Sequence, residues 1–413
     1  MQPAGVGPLS GLRVVDVGSI FAGPVVGAML GDLGAEVIKV EPLKGDDVRR
    51  LGTQKNGIPL WWKLTARNKR LASLDLGRRE GAEAMRRIVK GADILVENFR
   101  PGKMESWGLD YPTLSRDNPG LIMLHISGYG RQGPYRDFPG FGTLAEAFSG
   151  MVFTNGQPEG PPSLLQFPIA DQVTALFGVQ SILAATLERQ RSGLGQEIDL
   201  SLYESLLALM GNMVLGYDQL GEIMQRRGNQ SKSSVPRNAY QTADQRWLVV
   251  SATTDSIARR VFRAIGRPEL AGDPAYATNQ QRALRAAEID QMMVEWAGRH
   301  TQAQALAILQ KHEVATGPIN DIAQFFDDPH VRAVGSIHEH LDEDLGKIRM
   351  PNIPPRFSRT PGKIRWAGRN RVGRDTRAVL REAGYTDGEI DALIEAGVII
   401  APADPADPAA GQA

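Results

Sequence analysis

The chain has 413 residues, with basic and acidic side chains balanced at 47 each, and it has no cysteine. This length exceeds what one ordinary hydrophobic core supports, so we expect two domains. Zero net charge gives no support for nucleic acid or an anionic membrane surface as a partner. The lack of cysteine excludes disulfides, thiolate catalysis and cysteine-ligated zinc, and we expect a cytoplasmic protein.

No targeting or membrane segment is predicted. Residues 1–8 have neither a basic region nor an apolar region, so we expect no signal peptide. No stretch reaches the roughly 18 uninterrupted apolar residues of a membrane helix. The most apolar region, 202–215, contains Glu204 and Asn212 and is predicted to be a buried helix. We therefore expect no membrane partner.

The first part of the chain alternates predicted strands and helices. Buried strands are predicted at residues 12–17, 36–41, 71–76, 93–97 and 121–126. One helix is predicted at 23–33, with Pro24 in its first turn and Gly34 as its stop, and another at 78–90. This alternation predicts a doubly wound α/β fold with a parallel sheet. A ligand should then bind in the crevice at the carboxyl ends of the strands.

Small, polar or flexible residues follow these predicted strand ends, at Ser19, 98–100 and 127–130, although each segment could be a plain turn. Residues 128–133 fit the G-x-G-x-x-G dinucleotide pattern. Prolines 134 and 139 come where the following helix should begin, so we reject a nicotinamide site because no helix dipole would face the pyrophosphate. A mobile glycine-rich loop that closes over a ligand is predicted instead.

The strongest candidate for catalysis is Asp171, the one acid at the end of the apolar run 167–171. A helix predicted over 172–189 follows it, and a helix N-terminus favours negative charge. On this stretch alone, Asp171 could be only an N-cap. The chain lacks H-E-x-x-H spacing, a G-x-S-x-G elbow and a phosphate-binding P-loop, so we predict no metal site. A carboxylate nucleophile remains as the candidate covalent catalyst.

A polar, basic segment at 226–237 is predicted to be a linker to a second unit. Its predicted elements are a strand at 247–252 and helices at 256–265, 285–299 and 301–312. Thr386 and Glu389 have capping-box spacing before a terminal helix, and the tail 401–413 is predicted to be disordered. The predicted domains are a large one made of 1–225 and 331–400 and a small one at 226–330.

Several motifs in order resemble those of the class III CoA-transferases, the family that includes formyl-CoA and carnitine CoA-transferases. The matching segments are the opening run 12–41, the N-K-R and L-D-L motifs at 67–70 and 73–76, the E-N-F-x-P-G motif at 97–102, the S-G-Y-G-x-x-G-P-Y loop at 127–135, the Ala170–Asp171 junction and the run 193–202. The similarity continues to about Gly397, which is nearly the whole chain.

The resemblance implies site residues, a fold and partners. It implies that Asp171 is the catalytic aspartate. The residues implied to bind CoA are Lys69, Leu74, Asn98, Phe99 and Arg100, and those implied to form the acyl pocket or lid are Ser19, Phe21, Gly128, Gly130 and Phe141. The implied fold is a Rossmann-like large domain with a smaller α+β domain, in an interlocked homodimer. Acyl-CoA and a small carboxylic acid are the implied substrates, with no tightly bound cofactor.

Departures from the family pattern concern the phosphate contacts and the acyl pocket. Ser19 replaces a histidine of formyl-CoA transferases, and Pro42 and Ser106 replace arginines that bind CoA. Gly77 occupies a position where lysine is common, and Phe141 replaces a frequent tyrosine. The neighbouring arginines that could compensate are Arg49, Arg78 and Arg131.

The implied reaction moves CoA from a thioester to a free acid through an aspartyl mixed anhydride and an aspartyl-CoA thioester. Backbone N–H groups at the helix start are expected to stabilise the developing oxyanion. Two alternatives stay open. One is an α-methylacyl-CoA racemase-like isomerase, although Phe141 replaces the histidine of its G-H-D motif. The other is a non-catalytic CoA-binding protein in which Asp171 only caps a helix.

Overall fold

The structure is a computed structural model that describes residues 7–402; the predicted disordered tail lies outside them from residue 403 onward. The strands are β1 (Arg13–Asp16), β2 (Glu36–Glu41), β3 (Gln54–Lys55), β4 (Ile58–Pro59), β5 (Lys69–Leu74), β6 (Ile94–Glu97), β7 (Ile122–Ser127), β8 (Glu197–Ser201), β9 (Arg237–Gln241), β10 (Trp247–Ser251), β11 (Thr316–Ile319), β12 (Ile337–Asp342), β13 (Gly346–Pro351) and β14 (Ile399–Ile400). The helices are α1 (Ala22–Asp32), α2 (Leu60–Thr65), α3 (Arg79–Lys90), α4 (Lys103–Ser106), α5 (Tyr111–Asp117), α6 (Gly142–Phe148), α7 (Met151–Thr154), α8 (Ile169–Ser192), α9 (Leu202–Leu209), α10 (Gly211–Leu220), α11 (Asp255–Ala264), α12 (Asn279–Ala283), α13 (Ala286–Ala297), α14 (Gln302–Lys311), α15 (Ile322–Asp327), α16 (Pro329–Val334), α17 (Thr376–Glu382) and α18 (Asp387–Glu395). Short 3₁₀ helices lie at Asp47–Arg50 and Pro274–Tyr276.

The chain divides into two compact units. Unit 1 contains the described residues up to Val152, the segment Leu164–Ile223 and the residues from Gly335 onward. Unit 2 contains Phe153–Ser163 and Met224–Val334. The segment Phe153–Ser163 belongs to unit 2, whereas the sequence analysis assigned it to the large domain.

Unit 1 is built on a seven-stranded sheet with the order β14-β5-β2-β1-β6-β7-β8. All neighbours are parallel except β14, which pairs antiparallel with β5. Val14 of β1 pairs with Val37 on one side and Ile94 on the other. The chain therefore winds outward from β1 in both directions, and this reversal of strand order creates a crevice at the carboxyl ends of β1 and β6.

Both faces of the sheet are covered, as the near-continuous apolar strands predict for a parallel sheet. Val15 packs on one face with Met85 and Ile88 of α3, and Leu380 of α17 joins the same cluster. Val14 packs on the other face with residues of α1, α8 and α9. Neighbouring residues of one strand thus pack in the cores on opposite faces of the sheet, because successive side chains of a strand point to opposite faces.

The long helix α8 carries Asp171 and packs beside α1. It begins at Ile169, so Asp171 is its third residue and Pro168 is the N-cap. The alternative that Asp171 is itself the N-cap is therefore wrong. By length and hydropathy alone, α8 could cross a membrane, which is weak evidence since core helices pass the same test. Its Gly178 lets the helix approach the sheet, because an added Cβ would lie 3.0 Å from Leu124.

Unit 2 has a three-stranded antiparallel sheet, β11-β10-β9, with helices packed on it. The predicted strand at 247–252 is confirmed as β10, and the three predicted helices are confirmed as α11, α13 and α14 within two residues at each end. Strand β9, at the end of the predicted linker, was not predicted. In unit 1, the predicted capping box of Thr386 and Glu389 is confirmed at the start of α18.

Candidate functional site

A cavity of about 270 Å³ lies at the carboxyl ends of β1, β6 and β7 in unit 1. This is the position that the predicted doubly wound sheet gives for a ligand site, at the carboxyl ends of its strands. The predicted site residues that line it are Ser19, Phe21, Asn98, Phe99, Arg100, Gly128, Phe141 and Asp171. The structure therefore brings residues from five separate segments of the sequence to one wall.

Asp171 lines this cavity from the first turn of α8 and is only partly exposed. Gly142, the first residue of α6, lies against it: an ideal Cβ on Gly142 would be 2.3 Å from Oδ2 of Asp171. Burial, and after it the nearby Glu146 carboxylate, raise the pKa of Asp171 to about 6, although the backbone N–H groups of Ala22 and of Asp171 itself act in the opposite direction. Such a pKa gives a carboxylate that is ionised at neutral pH yet unusually basic.

The N-terminus of α8 has fewer free N–H groups than the sequence analysis expected. The Ile169 N–H donates to the carbonyl of Phe167 at 2.8 Å. The Ala170 N–H donates to Oε1 of Glu146 at 3.2 Å. These two helix-start donors are occupied, so the expectation that they stabilise an oxyanion is not supported by the geometry. The backbone N–H groups that stabilise the Asp171 carboxylate are those of Ala22, at the start of α1, and of Asp171 itself.

The loop after β1 is held in an uncommon conformation at the cavity. Ile20 has φ +66°, a left-handed value that costs free energy for a β-branched residue. The side chain of Asn98 holds the preceding Ser19, accepting from its N–H at 2.6 Å and donating to its carbonyl at 2.8 Å. Asp46 accepts from the Ile20 N–H at 3.0 Å. These hydrogen bonds hold the loop in its strained conformation.

A buried charge network supports this loop from inside the sheet. Lys39 forms ion pairs with Asp46 at 3.0 Å and Asp16 at 3.8 Å, and its ammonium donates to the Gly18 carbonyl. Burial lowers the pKa of Lys39, but the two carboxylates outweigh it and the pKa is raised overall. Asp16 also pairs with Lys69 at 2.7 Å. The network joins β1, β2 and β5 and holds the carbonyl of Gly18, the residue before the cavity-lining Ser19.

Three predicted site residues do not line the cavity. Lys69 is 1% exposed, and its ammonium is bound to Asp16 and to the carbonyl of Pro24 at 2.5 Å. Leu74, also 1% exposed, packs in the core. Gly130 lies in the glycine-rich loop with φ +86°, where its N–H donates to Oγ of Ser127 at 2.9 Å. The side chains of Lys69 and Leu74 thus do not face the cavity, and their implied contact with CoA stays a prediction, as does the lid role of Gly130.

The segment after β6 presents Phe99 and Arg100 to the cavity. The Phe99 N–H donates to Glu97 at 2.6 Å, and its ring packs edge-on against Trp107 with centroids 5.2 Å apart. Arg100 is exposed, and none of the ion pairs found within residues 7–402 involves it. A fixed aromatic ring and an unpaired guanidinium beside it suit a ligand with an apolar arm and phosphates.

The arginines considered as replacement phosphate contacts are engaged elsewhere. Arg49 binds both carboxylate oxygens of Glu41 at 2.8 Å. Arg131 pairs with Glu105 and anchors the glycine-rich loop, since its N–H also donates to Asp199 at 3.0 Å. Arg78 donates to the carbonyl of Ala396 at 2.5 Å. No helix begins in the residues after this loop until Gly142, in agreement with the rejection of a dinucleotide site.

Four residues in or beside the cavity were not predicted from the sequence, namely Ala22, Arg136, Gly142 and Glu146. Arg136 lines the cavity from the exposed segment before α6, and among the residues that the structure describes its ion pair is with the neighbouring Asp137 at 3.3 Å. Glu146 is one acid within an apolar helix, a pattern that could have indicated burial. No sequence pattern marks Gly142, because a glycine is needed there only where α6 and α8 approach each other in the folded protein.

Comparison with known proteins gives concordant results. A model of CoA-transferase family III matches residues 9–376. The succinyl-CoA–D-citramalate CoA-transferase of Chloroflexus aurantiacus is 41% identical over 396 residues, covering 95% of this chain and 98% of that protein. The succinate–glutarate CoA-transferase of Agrobacterium fabrum is 35% identical, covering 86% of this chain and 90% of that protein. A crystal structure of a CAIB/BAIF family protein from Brucella suis matches with a TM-score of 0.81 and 32% identity, covering 92% of this chain and 100% of that chain.

Proposed function

The chain belongs to CoA-transferase family III, and from this premise we propose that it moves CoA from succinyl-CoA to a second small dicarboxylic acid through covalent intermediates on Asp171. The observation that carries the proposal is the position of Asp171 on the cavity wall, where burial and Glu146 raise its pKa to about 6. A carboxylate in that environment is poorly solvated and therefore a better nucleophile than one in water.

The first half-reaction transfers the acyl group and then CoA to the enzyme. A carboxylate oxygen of Asp171 attacks the thioester carbon, the C–S bond breaks, and CoA leaves as a thiolate. The product is a mixed anhydride. The thiolate then attacks Cγ of Asp171, the anhydride C–O bond breaks, and the donor acid leaves as a carboxylate. Asp171 now carries CoA as a thioester.

The second half-reaction runs the same steps in reverse with another acid. The acceptor carboxylate attacks Cγ of the aspartyl thioester, and the C–S bond breaks to release the thiolate. The product is a second mixed anhydride, between Asp171 and the acceptor acid. The thiolate then attacks the acceptor carbonyl carbon, and Asp171 leaves as a free carboxylate. Each step exchanges one acyl bond for another, so the energy of the thioester is conserved and no net proton is transferred.

We propose that Asn98, Phe99 and Arg100 contact CoA and that Ser19, Phe21 and Phe141 shape the acyl pocket. The edge-packed ring of Phe99 and the unpaired guanidinium of Arg100 support this assignment. The acyl-pocket or lid role of Gly128 and Gly130, as part of the glycine-rich loop, remains a prediction. For Lys69 and Leu74, whose side chains lie in the core, we propose an indirect role in holding the strand and the loop that face CoA.

The substrate class is proposed from the relatives and from charge. The relatives named above act on succinyl-CoA with citramalate or on succinate with glutarate, and each of these acids has two carboxylates. Arg100 and Arg136 are the cationic side chains on the cavity wall, and Asp171 is the acid there. Two guanidinium groups suit the CoA phosphates and the distal carboxylate of a diacid.

We also propose a homodimer, which would cover an apolar surface of unit 1. Helix α10 buries none of its residues, and its Leu215 and Leu220 are 63% and 77% exposed. On α8, Leu176 and Leu187 are 59% and 62% exposed. Exposed apolar side chains in this number are typical of an interface. Light scattering of the purified protein tests this: a monomeric mass at micromolar concentration contradicts it.

The racemase alternative lacks an element of its chemistry. A racemase needs a second base beside the aspartate, and no histidine is among the described residues that line the cavity. If the protein were a racemase, it would introduce deuterium at the acyl α-carbon without any acceptor acid.

The decisive experiment incubates the protein with succinyl-CoA and a panel of mono- and dicarboxylic acids and measures each new acyl-CoA. Mass spectrometry after hydroxylamine or borohydride treatment locates the modified residue. We expect modification at Asp171 and loss of transfer in Asp171→Asn. Asp117→Asn serves as the control, because Asp117 is exposed on α5, pairs with Arg86 and does not line the cavity. Full transfer by Asp171→Asn contradicts the proposal.

A further inference from the structure

A second carboxylate is buried behind the proposed nucleophile. Glu146 lies on α6 one turn after Gly142 and is 1% exposed. Its Oε1 accepts from the N–H of Ala170, the residue before Asp171, at 3.2 Å. Full burial of an acid is uncommon unless the acid is paired. No ion pair found within residues 7–402 involves Glu146, so its burial calls for a functional reason.

The position of Glu146 changes what the start of α8 does for Asp171. An acid in the first turn of a helix is ordinarily stabilised by free N–H groups and by the helix dipole. Here the Ala170 N–H is taken by Glu146, and a second negative charge is placed near Asp171. The first turn of α1 carries no charged side chain to offset it, and the cations on the cavity wall are Arg100 and Arg136. The Ala170 N–H is thus unavailable to the Asp171 carboxylate, which keeps only the backbone N–H groups of Ala22 and of Asp171 itself to stabilise its charge.

We propose that Glu146 is a positioning residue that disfavours the free carboxylate of Asp171 and so favours its covalent, uncharged forms. The inference rests on the proposed function. When Asp171 is acylated or carries CoA, its negative charge leaves with the thiolate or with the departing carboxylate, and the repulsion from Glu146 ends. The repulsion is therefore present in the resting enzyme and absent in each covalent intermediate, so the covalent forms gain relative stability.

The variant Glu146→Gln tests the charge alone, because glutamine keeps the length and an oxygen that can accept from Ala170 N–H. Single-turnover acylation by succinyl-CoA is followed from pH 5 to pH 8, and the fraction of trapped Asp171 adduct is measured at equilibrium. We expect the trapped fraction to fall. We also expect the midpoint of the pH–rate curve for acylation to move to lower pH. A shift of half a pH unit would raise the rate at pH 5, relative to the plateau at pH 8, about threefold.

Glu188→Gln is the matched control, since it makes the same change on α8, the helix that carries Asp171, about 25 Å from Asp171 by helical rise. Glu188 is paired with Arg191 near the C-terminus of α8. If Glu146→Gln has the wild-type midpoint and trapped fraction, or if Glu188→Gln changes both equally, the inference is overturned. If the wild-type protein itself forms no adduct on Asp171, the proposed function fails instead. A purely structural role for Glu146 would lower the melting temperature without moving the midpoint.

Discussion

Gly142 and Asp171 are in contact at the point where α6 meets α8, and only a hydrogen atom on Gly142 separates its Cα from the carboxylate. A Cβ there would lie 2.3 Å from Oδ2 of Asp171. The φ of Gly142 is not in the left-handed region, so alanine fits the backbone and only the carboxylate must move. A displacement of about 1 Å at a reacting group costs about 100-fold in rate.

We therefore predict that Gly142→Ala lowers the acylation rate about 10- to 100-fold while the protein remains folded. Acylation is measured by single-turnover kinetics with succinyl-CoA, and folding by circular dichroism. Gly388→Ala is the control, because Gly388 lies in α18 with open space around its Cα. Wild-type acylation by Gly142→Ala would show that Asp171 does not need its present position.

The pH dependence of acylation should report the Asp171 carboxylate. Burial raises its pKa to about 6, and the nucleophile is the ionised form. The rate should therefore be level above pH 7 and fall by half near pH 6, then about tenfold per pH unit below. Single-turnover measurements between pH 4.5 and 8 test this. A midpoint near pH 4 would show that Asp171 is solvated like an ordinary aspartate.

The raised pKa of Asp171 also predicts that its ionised carboxylate lowers the free energy of unfolding at neutral pH. Between about pH 4 and 6 the unfolded chain loses the proton of Asp171 while the folded protein keeps it, so stability falls as the pH rises through this window. Above pH 6 the deficit is constant. Asp171→Asn removes the charge, and we predict that it raises the free energy of unfolding at pH 7.5 by up to about 3 kcal/mol.

Thermal unfolding of both proteins at pH 4 and pH 7.5 measures this difference. The gain from Asp171→Asn should be present at pH 7.5 and nearly absent at pH 4, while activity is lost at both. An Asp171→Asn protein that is less stable than the wild type at pH 7.5 would contradict the raised pKa.

Substitution of Lys69 should lower stability, whereas substitution of Arg100 should weaken substrate binding, although the resemblance implies CoA contact for both residues. Lys69→Met leaves Asp16 buried without its 2.7 Å partner, and we predict a loss of about 3 kcal/mol in stability. Arg100→Ala removes an exposed side chain of the cavity wall, so stability should change little and the KM for succinyl-CoA should rise about tenfold.

Denaturant unfolding and steady-state kinetics on both variants separate the two effects. Arg136→Ala is informative beside Arg100→Ala, since Arg136 lines the same cavity. If Lys69→Met is stable and raises only KM, the core placement of Lys69 does not describe its role. If Arg100→Ala leaves KM unchanged, the CoA phosphates are bound elsewhere.

The sequence determined the strands and helices around the sheet because their periodicity is local. Apolar runs such as β2 and β7 and the amphipathic face of α3 are properties of consecutive residues, and the predicted bounds of these three elements lie within one residue of the observed ones. The prediction of one buried helix at 202–215 is wrong, since α9 and α10 divide this region and α10 buries none of its residues. Because ligands of such sheets bind at the carboxyl ends of the parallel strands, the sequence also indicated the edge of the sheet where Ser19 and Asn98 meet. The resemblance to the family also singled out Asp171, since Ala170–Asp171 is one of several segments that match the family motifs in order along the chain.

Tertiary structure alone decided which residues line the cavity and which support it. Lys69 is inside the sheet because its Nζ meets Asp16, a residue 53 positions away, and no local pattern encodes that pairing. Glu146 faces the start of α8 because α6 packs there, 24 positions before Ala170 in the chain. The environment of a charge depends on burial and on neighbours brought together by folding, so the raised pKa of Asp171 could not be read from the sequence.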